Sequence, residues 1–407
     1  MAMVLNNSHF DDLSGKVGFV VGLDEQGNPK QNYRRINKNE YYAFKNFYKF
    51  EYTETEKRKF SEICDRLIEE NDRRMEGDFY TPTVLAKKSH EYLRKYLGDD
   101  FPKNYVVWDC CCGTMNLTRD LGFNNLFSST LESGDIDICR SRKYNRGEEN
   151  RQFVYDFLDW DTEYLYKLLE KKYKEKKEIT IDDFKNWALY NENMGKGLID
   201  ALFEGKKCLF YINPPYGTAC TFGHAGKSNY KACIASQTEM NKVMKKDNVG
   251  KCRENLYPQF LYKIYLLQKL FDKSEFHLGV FSPLGFLTLQ SYDKFREKFM
   301  TEFGLLGGCL FSADEFPNLT DNWPISFTVW QQGKSSVNTL DIIEKEFGKY
   351  VCTGEKQFYS INSNQSGSTW CKTTVKGKGL DYPQFSSGLK YADKKSRGTL
   401  LKDSIGF

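Results

Sequence analysis

Four residues that could act together on a planar amine follow a short apolar segment near the middle of the chain. Asn213, Pro214, Pro215 and Tyr216 come directly after residues 208–212 (CLFYI). Two consecutive prolines fix the backbone and remove two N–H donors, but both keep their carbonyl acceptors. Asn213 and the Pro214 carbonyl could therefore accept hydrogen bonds from one amine, while Tyr216 offers a flat face to a ring. The structural alternative is a Pro-Pro turn that ends a buried strand, with Tyr216 covering the core.

A second candidate site lies earlier in the chain, where a buried segment runs into a turn of small residues. Residues 105–109 (YVVWD) have the pattern of a short buried strand, and residues 110–118 (CCCGTMNLT) follow. Ligands of open α/β sheets lie outside the carboxyl ends of the strands, and a glycine there lets the backbone approach the ligand closely. A helix that begins after the turn presents free N–H groups to a polar ligand. The pattern predicts a nucleotide-binding turn around Gly113, although residues 110–112 also suit three small buried side chains.

Three segments together resemble the motifs of DNA adenine-N6 methyltransferases. Asp109–Thr114 is similar to their D-P-x-C-G-T-G cofactor motif, and Asn213–Tyr216 is similar to their catalytic motif. Gly77–Pro82 resembles the G-x-F-[FY]-T-P segment that precedes the cofactor motif in the gamma arrangement, a group with type I modification subunits and many type II and phage enzymes. Two residues depart from the family pattern, since Cys110 replaces the usual proline and Met115 replaces the last glycine.

The resemblance implies an α/β fold of the class I S-adenosylmethionine-dependent methyltransferase type, with a Rossmann-like seven-stranded sheet. The implied cofactor is S-adenosylmethionine, and the implied reaction methylates N6 of an adenine that has left the duplex. Asn213, Pro214, Pro215 and Tyr216 are the implied catalytic residues, with Tyr216 stacked on the flipped base. The implied cofactor-binding residues are Phe79, Tyr80, Thr81, Asp109, Cys112, Gly113, Thr114, Glu132, Asp135, Asp156 and Phe157.

Three of these acids have interpretations that the residues alone leave open. Glu132 and Asp135 follow the predicted strand 125–130, at the distance from the glycine turn where an acid commonly binds ribose hydroxyls, and Glu132 is favoured. Either acid could instead be a solvated loop residue. Asp156-Phe157 resembles the family's third motif, which implies that Asp156 binds the adenine amine of the cofactor and that Phe157 packs on its ring. A helix N-cap is an equally good interpretation of Asp156.

The hydrophobic pattern predicts three regions. Residues 1–75 are predicted to be a mainly helical N-terminal region, because apolar residues between positions 60 and 67 recur at helical spacing. Residues 76–333 are predicted to be the catalytic domain, which the family resemblance covers. Residues 334–407 are rich in Ser, Gly, Lys and Asn and are predicted to be a separate C-terminal region. That region is interpreted either as a partial DNA target-recognition element or as a small β-rich appendage.

The composition predicts an intracellular protein without a membrane segment. The chain has 407 residues, 12 cysteines and a formal net charge of +4. We identify no secretory leader and no apolar segment of membrane length, so the cysteines favour a reducing, cytoplasmic compartment. The cysteines have no zinc-type spacing, and no metal is predicted. The small net charge permits a local basic face for DNA without requiring one.

The predicted function is site-specific methylation of adenine N6 in double-stranded DNA, with a restriction or specificity protein as a further partner. Cytosine-N4 methylation is the nearest alternative because it needs the same hydrogen-bond acceptors for an exocyclic amine. Asn rather than Ser at position 213 favours adenine. An RNA or protein-glutamine methyltransferase is a second alternative, since Asn-Pro-Pro-Tyr can hold any planar amide or amine. A DNA-binding protein with an inactive catalytic fold is a third, favoured by Met115.

Overall fold

The chain divides into two compact units, residues 1–74 and residues 75–407. The computed structural model describes residues 9–11, 16–23, 29–35, 37–47, 81–141, 151–216, 234–316, 323–346 and 348–358. Phe79 and Tyr80 of the predicted cofactor site lie outside the described residues. Within these ranges, no helix is both long enough and apolar enough to cross a membrane.

The first unit contains a small antiparallel sheet where the sequence predicted mainly helix. Its strands are β1 (His9–Asp11), β2 (Lys16–Leu23) and β3 (Pro29–Arg35), and helix α1 (Lys38–Phe47) follows them. The prediction of a helical region over residues 1–75 was therefore wrong for these three strands. The physical reason lies in β2, whose sequence KVGFVVGL is rich in the β-branched valine that favours strands.

The second unit is built on one mixed sheet of nine strands. Two of its strands, Val106–Asp109 and Cys208–Ile212, are short and buried from end to end, as expected for parallel strands covered on both faces. The nine strands are β4 (Val106–Asp109), β5 (Asn125–Thr130), β6 (Gln152–Val154), β7 (Cys208–Ile212), β8 (Phe276–Pro283), β9 (Phe303–Ser312), β10 (Pro324–Gln332), β11 (Thr339–Glu346) and β12 (Lys349–Gln357).

The strand order is β12-β11-β9-β10-β8-β7-β4-β5-β6. Strands β4 to β8 are mutually parallel, whereas β10 is antiparallel to both β8 and β9. The chain runs outward from β4 through β5 to β6 and then returns to the other side of β4 as β7. In register, Val106 lies opposite Cys208 and Trp108 lies opposite Phe210. The connections that follow β4 and β7 therefore run in opposite directions along the sheet. Such a reversal between adjacent parallel strands opens a crevice at their carboxyl ends, where ligands of such sheets bind.

The prediction of seven strands was wrong because β11 and β12 extend the same sheet. β11 pairs in parallel with β9, with Asp341 opposite Cys309 and Ile342 opposite Leu310. β12 then pairs antiparallel to β11. β11 and β12 therefore belong to the main sheet, although the sequence placed everything after residue 333 in a separate region. These two strands are largely polar and only partly buried, so they lack the continuous apolar pattern of β4 and β7.

Helices cover the sheet, and one of them is almost completely buried. In α9 (Leu256–Leu270), 14 of the 15 residues are buried, which fits a helix whose sequence, LYPQFLYKIYLLQKL, is mostly apolar. The helices of this unit are α2 (Thr83–Leu97), α3 (Phe101–Asn104), α4 (Ser133–Ser141), α5 (Thr162–Tyr173), α6 (Lys196–Phe203), α7 (Ile234–Gln237), α8 (Glu239–Lys246), α9 (Leu256–Leu270), α10 (Gly285–Thr288) and α11 (Asp293–Glu302).

Candidate ligand-binding and catalytic site

A pocket of about 330 Å³ lies at the carboxyl ends of β4, β5, β6 and β7. This is the crevice that the strand order predicts, and the volume falls within the usual range for small-molecule sites. Of the site residues predicted from sequence, the pocket lining includes Thr81, Asp109, Cys112, Gly113, Glu132, Asp135, Asp156, Phe157, Asn213 and Pro215. Thr114, Pro214 and Tyr216 lie beside the pocket but not in its lining.

The lining is acidic, and this sets which ligands it suits. Carboxylates from five residues face it, whereas no lysine or arginine of the described part of the chain does. A ligand with phosphate groups would meet repulsion here, while one with a cationic group and several hydrogen-bond donors would be attracted. The five acids are Asp109, Glu132, Asp135, Asp156 and Asp159.

Asp109 ends β4 and is the most deeply buried of these acids. Its side chain is 1% exposed, and neither oxygen has a hydrogen-bond partner of normal geometry among the described residues. Burial raises the pKa of this carboxyl to about 8, and the nearby backbone N–H of Cys111 offsets only part of that rise. A buried carboxylate without a partner is costly, so this position favours a bound cation or donor.

The turn after Asp109 contains two residues with positive φ. Gly113 has φ of 46° and Met115 has φ of 61°. Met115 stands where the family motif has its last glycine, and the left-handed conformation costs a residue with a side chain about 1–2 kcal/mol. Its side chain is completely buried in the hydrophobic core and does not line the pocket. The backbone therefore keeps the conformation that glycine would adopt, and the side chain points away from the ligand space.

The cysteines of this turn are structural. The backbone N–H of Cys112 donates to the Ser129 carbonyl of the neighbouring strand at 2.9 Å. The thiols of Cys112 and Cys139 both donate to the Gly113 carbonyl, at 3.4 and 3.7 Å. Burial raises the pKa of the Cys112 thiol well above its ordinary value, so it is held as a neutral thiol. These contacts fix the carbonyl of Gly113 and with it the shape of the turn.

The end of β5 brings both candidate ribose-binding acids to the pocket. Glu132 is exposed, and Asp135 is half-buried in the first turn of α4. Carboxylates at a helix N-terminus are favoured by the helix dipole, so Asp135 has a structural reason for its position. Glu132 directly precedes the first residue of α4, so both acids stand at the same helix N-terminus and both line the pocket.

Asp156 follows β6 and has two observed features, a set of hydrogen bonds within the turn and a position in the pocket lining. One oxygen, Oδ1, accepts hydrogen bonds from the backbone N–H groups of Leu158 and Asp159, both at 3.0 Å. This is a local cap of the turn. The residue also lines the pocket, as does Phe157, whose ring stacks on Phe260 at 5.2 Å between centroids. The turn thus presents a carboxylate and an aromatic ring to the same space.

Lys263 is a buried residue behind this turn that the sequence reasoning missed. Its ammonium donates to the Trp160 carbonyl at 2.7 Å and to the Thr162 hydroxyl at 2.9 Å, and it lies 5.1 Å from the Phe157 ring centroid. Burial lowers the pKa of Lys263 to about 8, and nearby carboxylates oppose that change. The available signal was the position of Lys263 in the middle of a mostly apolar segment, residues 256–270.

Asn213 lies at the end of β7, with its side-chain amide held at both ends. Nδ2 donates to the Thr81 hydroxyl at 2.9 Å, and Oδ1 accepts from the Tyr216 hydroxyl at 2.6 Å. The Tyr216 ring is buried in edge contacts with Tyr257, Phe316 and Trp323, at 6.2–6.5 Å between centroids. Burial raises the pKa of Tyr216 well above its ordinary value, so the hydroxyl keeps its proton and can donate.

Together these groups form two connected halves. The half at β4, β5 and β6 is acidic and suits a cationic ligand that carries hydroxyl and amine donors. The half at β7 presents an amide acceptor, held by hydroxyl groups, next to a Pro-Pro turn. In the described conformation the Tyr216 ring is packed against other rings, so the stacking position predicted for it requires the ring to leave that contact.

Comparisons with known proteins identify similar structures only. No family model matches the chain, and no curated protein matches it. The structure of a DrdV–DNA complex is 14% identical, with a TM-score of 0.47, over 75% of this chain and 32% of that one. A type I restriction-modification methyltransferase subunit from Streptococcus thermophilus is 16% identical, with a TM-score of 0.40, over 68% and 50%. The DNA-bound Type ISP restriction-modification enzyme LlaBIII is 12% identical, with a TM-score of 0.43, over 75% and 22%.

The chain thus spans half or less of the length of these three proteins. Their TM-scores lie below 0.5, so the similarities do not by themselves assign an activity to this chain.

Proposed function

We propose that this protein is a site-specific DNA methyltransferase that transfers a methyl group from S-adenosylmethionine to N6 of adenine. The observation that carries the proposal is an acidic pocket, with the unpartnered carboxyl of Asp109 at its base, beside the held amide of Asn213. The acidic pocket suits a cationic cofactor, and the Asn213 amide suits a planar amine. The resemblance of both segments to family motifs supports the same assignment.

The pocket residues fit the proposed cofactor group by group. Asp109 would pair with a cationic group of the methionine moiety, because a buried carboxylate needs a positive partner. Glu132 would accept from ribose hydroxyls. Asp156 would accept from the adenine amine, with Phe157 beside the ring. When bound, S-adenosylmethionine supplies a sulfonium methyl group, which passes to the substrate nitrogen as the sulfur–carbon bond breaks.

The residues at the end of β7 would act on the substrate amine. Asn213 Oδ1 and the Pro214 carbonyl would accept its two hydrogen atoms, which draws the nitrogen lone pair out of conjugation with the ring. The Tyr216 hydroxyl now donates to the same Oδ1, so the substrate amine would take over that contact. The proton that the nitrogen loses would pass to solvent. Positioning and preorganised dipoles would supply the rate enhancement, without a covalent bond to the protein.

The proposed substrate is an adenine that has left the DNA duplex, because its amine is otherwise engaged in base pairing. Asn at position 213 favours adenine over cytosine in this family. A restriction or specificity protein is the proposed partner that would complete a system of this kind, and the cytoplasm is the proposed location.

The function is tested by expressing the full chain in a host without adenine methylation and sequencing its genomic DNA with a readout that separates N6-methyladenine from N4-methylcytosine. We expect N6-methyladenine at one short recurring sequence. The matched control is Asn213→Ala, which should lower the rate by about 10²-fold or more because a preorganised contact is lost. Methylcytosine instead of methyladenine would refute the base assignment. Methyl transfer by the purified protein to RNA or protein, but not to DNA, would refute the substrate class.

A further inference from the structure

Thr81 lies between the two halves of the site. It precedes Pro82, the N-cap residue of α2, and its side chain is 4% exposed. It lines the pocket, and the family resemblance implies a cofactor contact for it. The polar contact that the structure shows is a different one, because the Thr81 hydroxyl accepts a hydrogen bond from Asn213 Nδ2 at 2.9 Å.

In the structure this contact holds the Nδ2 end of the Asn213 amide. An asparagine side chain can rotate by half a turn and exchange its oxygen for its nitrogen, and only the oxygen can accept from an amine. With Nδ2 on Thr81, Oδ1 is directed to the side where the Tyr216 hydroxyl donates at 2.6 Å. The amide is therefore in the orientation that an incoming amine requires.

Substrate binding should affect the two hydrogen bonds of the Asn213 amide differently. The Tyr216 hydroxyl occupies Oδ1, the atom that the amine would use, so this contact must be released. The Thr81 hydroxyl is at the opposite end of the amide and can remain through the reaction. Thr81 also directly precedes the N-cap residue of α2, whereas Tyr216 follows the Pro-Pro turn.

We propose that Thr81 is a positioning residue, which orients the Asn213 amide toward the substrate amine rather than serving only as a cofactor contact. The proposal rests on the proposed function of the site. It predicts a specific division of effects, because loss of the hydroxyl should slow methyl transfer while cofactor affinity is retained. A role in cofactor binding alone predicts the reverse.

The test uses Thr81→Val, which keeps the shape of the side chain and removes the hydroxyl, and Thr81→Ser, which keeps the hydroxyl. Single-turnover methyl transfer to DNA is measured at saturating S-adenosylmethionine, and the cofactor Kd is measured by calorimetry. We expect the valine variant to react about 10²-fold more slowly, the size typical of a misplaced catalytic group. The Kd should stay within about twofold of the parent value, and the serine variant should react within about threefold of the parent rate. If the valine variant does not fold, Thr81→Ala also removes the hydroxyl and takes its place.

A double-mutant cycle separates positioning from general damage to the fold. In an Asn213→Ala background the amide is absent, so Thr81→Val should cause no further loss of rate. Parental rate in the valine variant, an equal loss in both backgrounds, or a serine variant as slow as the valine variant would each overturn the role of Thr81. Absence of methyl transfer by the parent protein would instead refute the proposed function, and the role of Thr81 with it.

Discussion

The ionisation of Asp109 gives the sharpest test of the cofactor half of the site. Burial raises the pKa of this carboxyl to about 8, so about one-tenth of it is ionised at pH 7 and about one-hundredth at pH 6. A cationic cofactor should bind the ionised form. The apparent affinity of the parent protein should therefore rise about ninefold between pH 6 and pH 7, with release of about 0.9 proton per cofactor at pH 7. The Asp109→Asn variant, which cannot ionise, should bind weakly at both pH values and release no proton.

The assay is calorimetric titration with S-adenosylmethionine at pH 6, 6.5 and 7, each in two buffers of different ionisation enthalpy, which yields the number of protons released. The matched control is Glu132→Gln, which removes an exposed acid of the same pocket. This variant should bind S-adenosylmethionine more weakly, but its affinity should change with pH as much as that of the parent protein. An affinity of the parent protein that does not change with pH, or an equal slope in the Asp109→Asn variant, would refute the pairing of Asp109 with a cation.

The same pKa predicts how the cofactor-free protein responds to pH. Because the folded-state pKa lies above the ordinary value of 3.8, the contribution of Asp109 to stability is present at low pH and is lost as the pH rises toward 8. The Asp109→Asn variant should therefore melt above the parent protein at pH 8, with a smaller difference at pH 5. Thermal unfolding followed by circular dichroism measures this, and an unchanged difference between the two pH values would contradict it.

Three further predictions concern neighbouring residues. Gly113→Val places a side chain at a position with φ of 46°, so it should abolish cofactor binding in a protein that still folds; calorimetry with unchanged affinity would remove this turn from the site. Met115→Gly relieves the left-handed strain but empties a buried position, so we expect a net loss of about 1–3 kcal/mol in chemical denaturation. The cofactor Kd should not change, because Met115 does not line the pocket. Tyr216→Ala should weaken retention of a flipped base by about 1–3 kcal/mol, whereas Tyr216→Phe should keep it. Fluorescence of 2-aminopurine at the target position reports this, and equal losses in both variants would assign the effect to the hydroxyl.

The parts of the fold that sequence reasoning predicted well are those with a strong apolar pattern. The segments that became β4 and β7 are continuous buried runs, and each is followed by residues suited to a strand-end site. Because parallel strands place their carboxyl ends at one edge, the sequence alone is enough to expect Asp109 and Asn213 near each other.

The parts that sequence reasoning missed depend on contacts between distant segments. The strands β11 and β12 are mostly polar, so only the pairing of β11 with β9, and of β12 with β11, identifies them as part of the sheet. The hydrogen bond from Asn213 to Thr81 joins residues 132 positions apart, and a pattern along the chain carries no information about it. Tyr216 was expected to stack on a base, but in the structure its ring packs against three aromatic rings from later segments.

The pairing of β4 with β7 sets the distance between Asp109 and Asn213. Trp108 lies opposite Phe210, so Asp109 stands level with Tyr211, and Asn213 is the residue directly after β7, two positions beyond Tyr211. With strands about 4.8 Å apart and a rise of about 3.3 Å per residue, the two functional Cα atoms are about 8 Å apart. The span between the cofactor end and the amine end is thus set by backbone hydrogen bonds that no side chain can alter. The long excursion from β6 to β7 can gain or lose residues in evolution while the span stays the same.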